Sequence, residues 1–138
     1  MERVELGHLL LIAEIHTGIQ AERLARMNRV VTLAQSALAA PFAGFGGVEL
    51  FPTFEDKAAI YCARLVTYHP FPDGNKRAAY DVMIEFVERN RRMWTHSAGG
   101  LSETATMIER LAGEPPPVSE DDFHCLVRFC HRPPARPP

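Results

Sequence analysis

The stretch that decides the fold is His69-Pro70-Phe71-Pro72-Asp73-Gly74-Asn75-Lys76-Arg77. Within this short run it combines an imidazole, a carboxylate, a carboxamide, an ammonium and a guanidinium. Its two prolines and its glycine favour a shaped loop. A helical pattern follows at once, from Lys76 to Asn90, and its apolar stripe is wide enough for a central core helix. That stripe consists of Ala79, Val82, Met83, Phe86 and Val87. The sequence therefore predicts a polar loop that leads directly into the N-terminus of a core helix.

The second half of this loop suits the binding of an anion. A helix N-terminus presents unpaired N–H groups and a partial positive charge, so it receives phosphate well. Gly74 lets the backbone approach an anion closely, and Asn75 can donate a hydrogen bond. Lys76 and Arg77 add two positive side chains. Asp73 is an oxygen ligand of the kind that Mg²⁺ uses together with substrate phosphates. We therefore predict a site for a nucleotide with Mg²⁺.

The first half of the loop supplies a base and an anchor. His69 can accept a proton from an attacking hydroxyl near neutral pH. Phe71 is predicted to point inward and to anchor the loop. The whole set supports nucleophilic attack on a phosphorus atom, with catalysis by positioning and charge neutralisation. The alternative is a helix-capping turn, in which Asp73 caps the helix and the charged side chains face water. The occurrence of all these residue types in one short loop favours the phosphate site.

Three helices are predicted before the loop. The first covers Val4 to His16, and Gly18 is its stop signal. The second covers Ala21 to Ala40 and ends before a proline. Thr53 opens the third, which runs to about Tyr68 and begins with a capping box. The predicted apolar stripe of the second helix is Leu24, Met27, Val31, Ala34 and Leu38, and that of the third is Ala58, Ala59, Cys62, Leu65 and Val66.

Two further helices are predicted after the core helix, at Ser102–Ala112 and Ser119–Cys130, and Arg91–Thr95 is a short extended piece. The fold class is all-α, with about six helices and a short flap. A single domain is predicted over residues 4–131. The Pro-rich residues 132–138 are predicted to be a disordered tail.

The predicted flap lies between the second and third helices. The segment Pro41–Pro52 carries three glycines and three phenylalanines, and glycines invite turns. We expect a loop or a short hairpin with exposed backbone groups. The alternative is a structural connector whose aromatic side chains fill the core. The candidate flap residues are Gly44, Phe45, Gly46, Gly47, Val48, Glu49, Leu50 and Phe51.

Composition narrows the class of protein. The chain has 138 residues, a net charge of −2 and a pI of about 6.3. This balance lacks the basic excess of a nucleic-acid-binding face, so no direct nucleic-acid binding is expected. The three cysteines are an odd number without a C-x-x-C pair, which favours a reducing compartment over a disulfide framework. The N-terminal residues carry no signal peptide or membrane span, so the expected location is the cytoplasm.

The loop resembles the Fic/Doc family motif, His-x-Phe-x-(Asp/Asn)-(Gly/Ala)-Asn-(Gly/Lys)-Arg. The matching residues are His69, Phe71, Asp73, Gly74, Asn75, Lys76 and Arg77. Ser36–Pro41, Phe45-Gly46-Gly47, Lys57-Ala58-Ala59 and the Glu103–Gly113 helix resemble the death-on-curing (Doc) toxin branch. The resemblance extends from Val4 to about Phe129.

This resemblance implies a compact helical fold with a flap near the active site. It implies that His69 is the general base, that Asp73 is the magnesium ligand and that Gly74–Arg77 form the anion cradle. It also implies that the flap Gly44–Phe51 aligns a target peptide by strand addition, a mode that uses main-chain hydrogen bonds.

Lys76 bears on which phosphate moves. Fic enzymes that transfer AMP carry glycine at this position, whereas Doc-like toxins carry lysine. The resemblance therefore implies transfer of the γ-phosphate of ATP to a protein hydroxyl, which in the Doc branch belongs to a threonine of elongation factor Tu and arrests translation. The pair Asp73-Gly74 is of the Fic type, whereas the founding phage toxin has Asn-Ala. AMP transfer to a protein hydroxyl therefore stays open as an alternative.

Control of the activity is expected to come from a second protein. The chain has no match to the inhibitory pattern (Ser/Thr)-x-x-x-Glu-(Gly/Asn) of the family. By analogy, a small cognate antitoxin whose disordered tail folds on the toxin would supply inhibition. A second alternative is a catalytically silent module that keeps the fold only to engage an antitoxin.

The remaining histidines and cysteines carry weaker signals. His124-Cys125 and Cys130-His131 match no usual zinc spacing, so a zinc site is not predicted. His8, His16 and His96 are isolated in the sequence, and surface or core-polar roles are expected for them.

Overall fold

The computed structural model of the protein describes residues 1–94, 100–112 and 131–132. These residues form six α-helices, one 3₁₀ turn and two small antiparallel sheets. In chain order the elements are α1 (Leu6–Thr17), α2 (Ala21–Leu24), α3 (Asn28–Ala39), the 3₁₀ turn (Ala40–Phe42), β1 (Gly44–Phe45), β2 (Val48–Glu49), α4 (Phe54–Tyr68), α5 (Asn75–Arg89), β3 (Met93–Trp94), α6 (Gly100–Leu111) and β4 (His131–Arg132). The predicted all-α class with about six helices and a short hairpin is confirmed.

The helices α4 and α5 form the centre of the molecule. Alanines on both helices are fully buried, which lets the two backbones approach closely. Beside them, the rings of Phe54 and Phe86 stack with their centroids 4.6 Å apart, and Tyr61 lies 4.8 Å from Phe86. Such aromatic pairs add stability beyond the area that they bury. The loop that joins α4 to α5 thus connects two closely packed helices, and the aromatic cluster lies toward the other end of this helix pair.

The helix α1 lies antiparallel to α5 and is fixed at both of its ends. At one end, the Glu2 N–H donates to Asn90 Oδ1 over 2.7 Å, and Asn90 Nδ2 donates to the Glu2 carbonyl over 3.0 Å. Asn90 is the C-cap of α5. At the other end, His16 packs against Gly74 at the start of α5. Gly18 ends α1 in the left-handed conformation, with φ of 75°.

The predicted single helix over residues 21–40 is wrong, because the chain breaks it after Leu24. The N–H of Met27 donates to the Leu24 carbonyl, and Met27 then adopts an extended conformation before α3 begins. No glycine or proline marks this break. It rotates the helix so that Val30 is buried in place of the predicted Val31, together with Ala34 and Ala37. Tertiary packing here overrides the local helical pattern.

The flap is a β-hairpin. Gly46 and Gly47 both have positive φ, 59° and 81°, which is the requirement of a type I′ turn between two strands. Gly44 pairs with Glu49, and a Cβ on Gly44 would lie 2.6 Å from the Val48 carbonyl oxygen. The side chain of Phe45 is 89% exposed, so this aromatic residue does not fill the core.

The remaining sequence predictions divide into three groups. The Thr53 cap is confirmed, since its hydroxyl oxygen accepts the Asp56 N–H over 3.1 Å. Of the extended piece predicted over Arg91–Thr95, Met93–Trp94 is confirmed as a strand that pairs antiparallel with His131–Arg132, whereas Arg91 has a positive φ of 58°. The predicted helix Ser119–Cys130, residues 133–138 of the predicted tail, and His96, Cys125 and Cys130 lie outside the described residues. Among the helices of residues 1–94 and 100–112, none is both long enough and apolar enough to cross a membrane.

Candidate active site

The loop between α4 and α5 begins with an unusual backbone conformation. His69 is the C-cap of α4 and lies in the left-handed region, with φ of 51° and ψ of 57°. Its N–H donates to the Leu65 carbonyl over 3.2 Å, which closes the helix. Arg29 of α3 then donates from Nη1 to the carbonyls of His69 (3.1 Å) and Pro70 (3.3 Å). Because left-handed residues other than glycine are uncommon, these hydrogen bonds hold a conformation that the chain would otherwise avoid.

The middle of the loop is closed by a pair of hydrogen bonds. The Phe71 N–H donates to Asn75 Oδ1 over 2.9 Å, and Asn75 Nδ2 donates to the Phe71 carbonyl over 2.8 Å. Both residues are buried, with Phe71 only 1% exposed. The carboxamide of Asn75 is therefore used within the loop. What Asn75 offers to a ligand is its backbone N–H at the first position of α5.

The backbone conformation and the close packing at the start of α5 favour glycine at position 74. Gly74 has φ of 73°, and a Cβ placed on it would lie 2.9 Å from both the Cβ and the carbonyl oxygen of His16. Distances this short do not occur for real Cβ atoms. The N–H of Gly74 is bound by Asp73 Oδ1 over 2.8 Å. The close approach of α1 therefore favours glycine here, and residues 74–77 line the cleft described next.

The charged residues of the loop surround one cleft of about 520 Å³. The cleft is lined by His16, His69, Pro72, Asp73, Gly74, Asn75, Lys76, Arg77 and Glu109. It brings the imidazole of the loop, its carboxylate and its two cations to the N-terminus of a 15-residue helix. This arrangement can hold a phosphate group at the helix end with a base beside it.

A second cavity of about 340 Å³ adjoins this cleft along α5. The two share His16, Lys76, Arg77 and Glu109, and the second adds Tyr80, Asp81, Ala105 and Ile108. Its walls are more apolar than those of the first cleft. Together the two spaces can receive a ligand with a charged end and a less polar remainder, such as a nucleotide.

Four residues of this region were not predicted from the sequence, and two of them, His16 and Asp81, are hydrogen-bonded to each other. His16 Nε2 lies 2.5 Å from Asp81 Oδ2, which links the end of α1 to α5. The sequence placed His16 among the isolated histidines. Asp81 stands one turn after Arg77 on α5, so helical spacing could have brought it into consideration, whereas the approach of His16 depends on tertiary structure.

The other two unpredicted residues are Glu109 and Arg29. Glu109 Oε2 of α6 lies 2.7 Å from Lys76 Nζ, and this ion pair stands in the wall shared by the two cavities. Arg29 holds the carbonyls at the start of the loop. Both are distant in sequence from the motif, and no local pattern connects them to it.

The predicted magnesium ligand Asp73 lies at the cleft and is exposed. In the described residues no group of three or more His, Cys, Asp or Glu side chains is arranged to hold a metal ion. A carboxylate can accept several bonds at once, so the contact from the Gly74 N–H leaves it capable of ligation. Mg²⁺ is commonly held by one or two carboxylates together with substrate phosphates. Asp73 therefore fits an ion that is bound together with a phosphate ligand.

The flap contacts the part of α4 that precedes His69. The ring centroid of Phe51 lies 6.0 Å from the guanidinium carbon of Arg64. Arg64 Nη1 donates to the Tyr68 hydroxyl over 3.1 Å, and Tyr68 is the residue before His69. The structure thus places the end of the hairpin beside the last turns of α4.

The buried thiol of α4 is unsuited to nucleophilic chemistry. Cys62 is fully buried, and burial raises the pKa of its thiol well above the ordinary range. Because the thiolate is the reactive form, this residue has a structural role in the core.

Comparison with known proteins agrees with the geometry of the loop. The model of a family described as the Fic/DOC family matches residues 6–87, a range that runs from the start of α1 into the last turn of α5. No curated protein and no solved structure gives a significant match. Domains of this type are generally transferases that modify proteins, and they use nucleoside triphosphates, typically with Mg²⁺. Because the matched range covers more than half of the chain and includes the whole loop, the protein belongs to the Fic/DOC family.

Proposed function

We propose that the protein transfers the γ-phosphate of ATP to a hydroxyl group of a protein target, as the toxin of a toxin–antitoxin pair. The observation that supports this proposal is the convergence of His69, Asp73, Lys76 and Arg77 on one cleft at the N-terminus of α5. By resemblance to the Doc branch, the target is elongation factor Tu and the result is an arrest of translation.

The reaction follows from the roles of these groups. The first backbone N–H groups of α5 and the guanidinium of Arg77 bind phosphate oxygens, and Lys76 adds a second positive charge. Asp73 would hold Mg²⁺, which neutralises phosphate charge when it is bound. The target hydroxyl oxygen attacks the γ-phosphorus, and His69 takes the proton of that hydroxyl. The new bond between oxygen and phosphorus forms as the bond to ADP breaks.

The choice between γ-phosphate and AMP transfer depends on Lys76 and Gly74. Lys76 keeps an ammonium in the wall of the cleft, held by Glu109, where AMP-transferring relatives carry glycine. The pair Asp73-Gly74 was the argument for AMP transfer, and the structure offers a separate reason for Gly74. Its positive φ and its contact with His16 account for the glycine without reference to the donor. The balance therefore favours transfer of the γ-phosphate, with AMP transfer as the second candidate.

Radiolabelled ATP tests the proposal directly. The protein is incubated with elongation factor Tu and ATP that is labelled at either the α- or the γ-phosphate, and His69→Ala serves as the control. We expect label in the target only from γ-labelled ATP, and none with the variant. Label only from α-labelled ATP would replace the proposal by AMP transfer. Absence of label in any protein of a bacterial lysate would favour the catalytically silent module.

The proposed biological role has its own test in cells. Expression of the protein should arrest growth, and both His69→Ala and co-expression of a small cognate antitoxin should relieve the arrest. The proposed role places the protein in the cytoplasm, where the proposed target is found. A His69→Ala variant as toxic as the parent would contradict the role of His69 as general base.

A further inference from the structure

Lys57, in the first turns of α4, is buried although it carries a charge. The residue is 2% exposed. Burying an ammonium is costly unless it is paired and hydrogen-bonded. The partners of Lys57 therefore show which part of the molecule its charge holds in place.

The described partners of Lys57 all lie in the segment that precedes α4. Its Nζ donates to the carbonyl of Phe51 and lies 3.2 Å from Glu49 Oε1. It also lies 5.7 Å from the centroid of the Phe42 ring in the 3₁₀ turn. The ammonium of Lys57 thus interacts with strand β2, with Phe51 after the hairpin and with Phe42 before it.

Apart from the contact of Phe51 with Arg64, the large apolar side chains of the hairpin face solvent. Phe45, Val48 and Leu50 are 89%, 70% and 62% exposed. Phe45 and Val48 form a cross-strand pair, and side chains alternate along a strand, so Glu49 points to the opposite face. A two-stranded hairpin alone is marginally stable. The contact of Glu49 with Lys57 therefore decides which face of the hairpin turns toward the protein and which turns to solvent.

We propose that Lys57 is a positioning residue that fixes the hairpin for reception of the protein target. The inference rests on the proposed function in one respect, that the hairpin receives the target. Lys57 acts through the hairpin and does not touch the substrate or the nucleotide. Loss of its ammonium should release the base of the hairpin and weaken target binding, while the phosphate cleft at the other end of α4 is unaffected.

The first test measures the hairpin itself. Lys57→Met keeps the apolar stem and removes the ammonium. Hydrogen–deuterium exchange of residues 44–51 should be about ten- to a hundredfold faster in this variant. A change of this size is expected because the loss of a hydrogen bond to a charged group shifts a conformational equilibrium by about this factor. Exchange within α5 should stay unchanged. The control is Arg89→Gln, which removes the ion pair of 2.8 Å between Arg89 and Glu85 within α5 and should not alter the hairpin.

The second test measures the reaction. In Lys57→Met the KM for the protein target should rise about tenfold or more, while the KM for ATP and the kcat stay within about twofold of the parent. A role confined to general stability would not separate these parameters in this way. Glu49→Gln removes the charge that faces Lys57 but leaves the hydrogen bond from Lys57 Nζ to the Phe51 carbonyl, so it should give a smaller change of the same kind.

The outcomes separate this inference from the proposed function. If the protein transfers nothing from ATP, the proposed function fails, whereas the exchange experiment still decides whether Lys57 holds the hairpin. Unchanged exchange of residues 44–51 in Lys57→Met would overturn the inference, as would faster exchange without a rise in the KM for the target. If Lys57→Met does not fold, Glu49→Gln decides, and an unaltered hairpin in that variant would overturn the inference.

Discussion

At the scale of single residues, His69 has a structural role in addition to its proposed role as the general base. It ends α4 in the left-handed conformation, and it lines the cleft at the N-terminus of α5. The left-handed conformation costs a residue with a Cβ about 1–2 kcal/mol. The two hydrogen bonds from Arg29 offset this cost and act on the carbonyls of His69 and Pro70. The orientation of the proposed base therefore depends on a side chain from another helix.

We predict that Arg29→Ala slows transfer while leaving ATP binding intact. Without the guanidinium the turn at His69 relaxes, and a misplacement of about 1 Å can cost about a hundredfold in rate. The measurement is kcat together with the dissociation constant for ATP. Arg26→Ala, which removes an exposed arginine just before α3, is the matched control. Equal kcat values for parent and Arg29→Ala would show that Arg29 does not position His69.

At the scale of elements, the junction of α1 with α5 forms the back of the cleft. His16 covers Gly74 and contacts Asp81, so the end of one helix supports the N-terminus of the other. The N–H groups of that terminus are the proposed phosphate ligands. The stability of this junction can be tested apart from activity, because the chain offers a suitable second glycine.

We predict that Gly74→Ala destabilises the protein more than Gly18→Ala. Both glycines have φ near 74°, so both variants carry the strain of a left-handed alanine, about 1–2 kcal/mol. A Cβ at Gly18 meets nothing within 4 Å, whereas one at Gly74 collides with the backbone of His16. The collision should add about 1–3 kcal/mol. Urea unfolding measures both losses, and equal losses would show that α1 does not press on Gly74.

An element could be predicted from the sequence where it is determined by residues close to it in the chain, and not where it is determined by tertiary packing. Capping by Thr53 and the apolar stripe of α5 are local, and both appear in the structure as expected. The break after Leu24 is not local, since the periodic pattern continues through it. Burial of Val30 in place of Val31 follows from that break, and no single-helix pattern could have indicated it.

The candidate site divides in the same way. Its contiguous part could be predicted, because His69, Asp73 and Arg77 are brought together by one loop. The positions of His16, Arg29 and Glu109 arise from the packing of three other helices. The internal use of the Asn75 carboxamide was equally out of reach, since it depends on the path of the loop. Sequence motifs thus identify the chemical groups, and packing decides which of them remain available to a ligand.

At the scale of the whole molecule, the core around α4 ties distant segments together. Tyr61 lies at its centre, and its hydroxyl oxygen accepts the Val4 N–H over 3.2 Å. Phe42, Phe54 and Phe86 pack around the same region. Ionisation of Tyr61 would therefore place a charge in the middle of the apolar core.

We predict that this core makes the protein sensitive to alkali. Burial raises the pKa of Tyr61 from 10.0 to about 12. Because the folded state favours the neutral phenol, the contribution of Tyr61 to stability is complete below pH 10 and is lost as the pH rises through about 12. Relative to Tyr61→Phe, the parent should lose up to about 1.4 kcal/mol per pH unit in this window. Urea unfolding at pH 9, 10 and 11 measures the difference, and parallel curves would contradict the prediction.

Because α1 contacts α5 at both of its ends, both contacts can form only when α1 has its present length. Glu2 meets Asn90 at one end, and His16 meets Gly74 at the other. Inserting one residue into α1 would turn everything beyond it by about 100° and advance it by about 1.5 Å. His16 would then miss Gly74, although the sequence of the loop is untouched. The length of α1 thus sets the position of His16 against the N-terminus of α5. Engineered insertions should therefore be placed in the turn after Gly18 or ahead of Met1, which is 67% exposed.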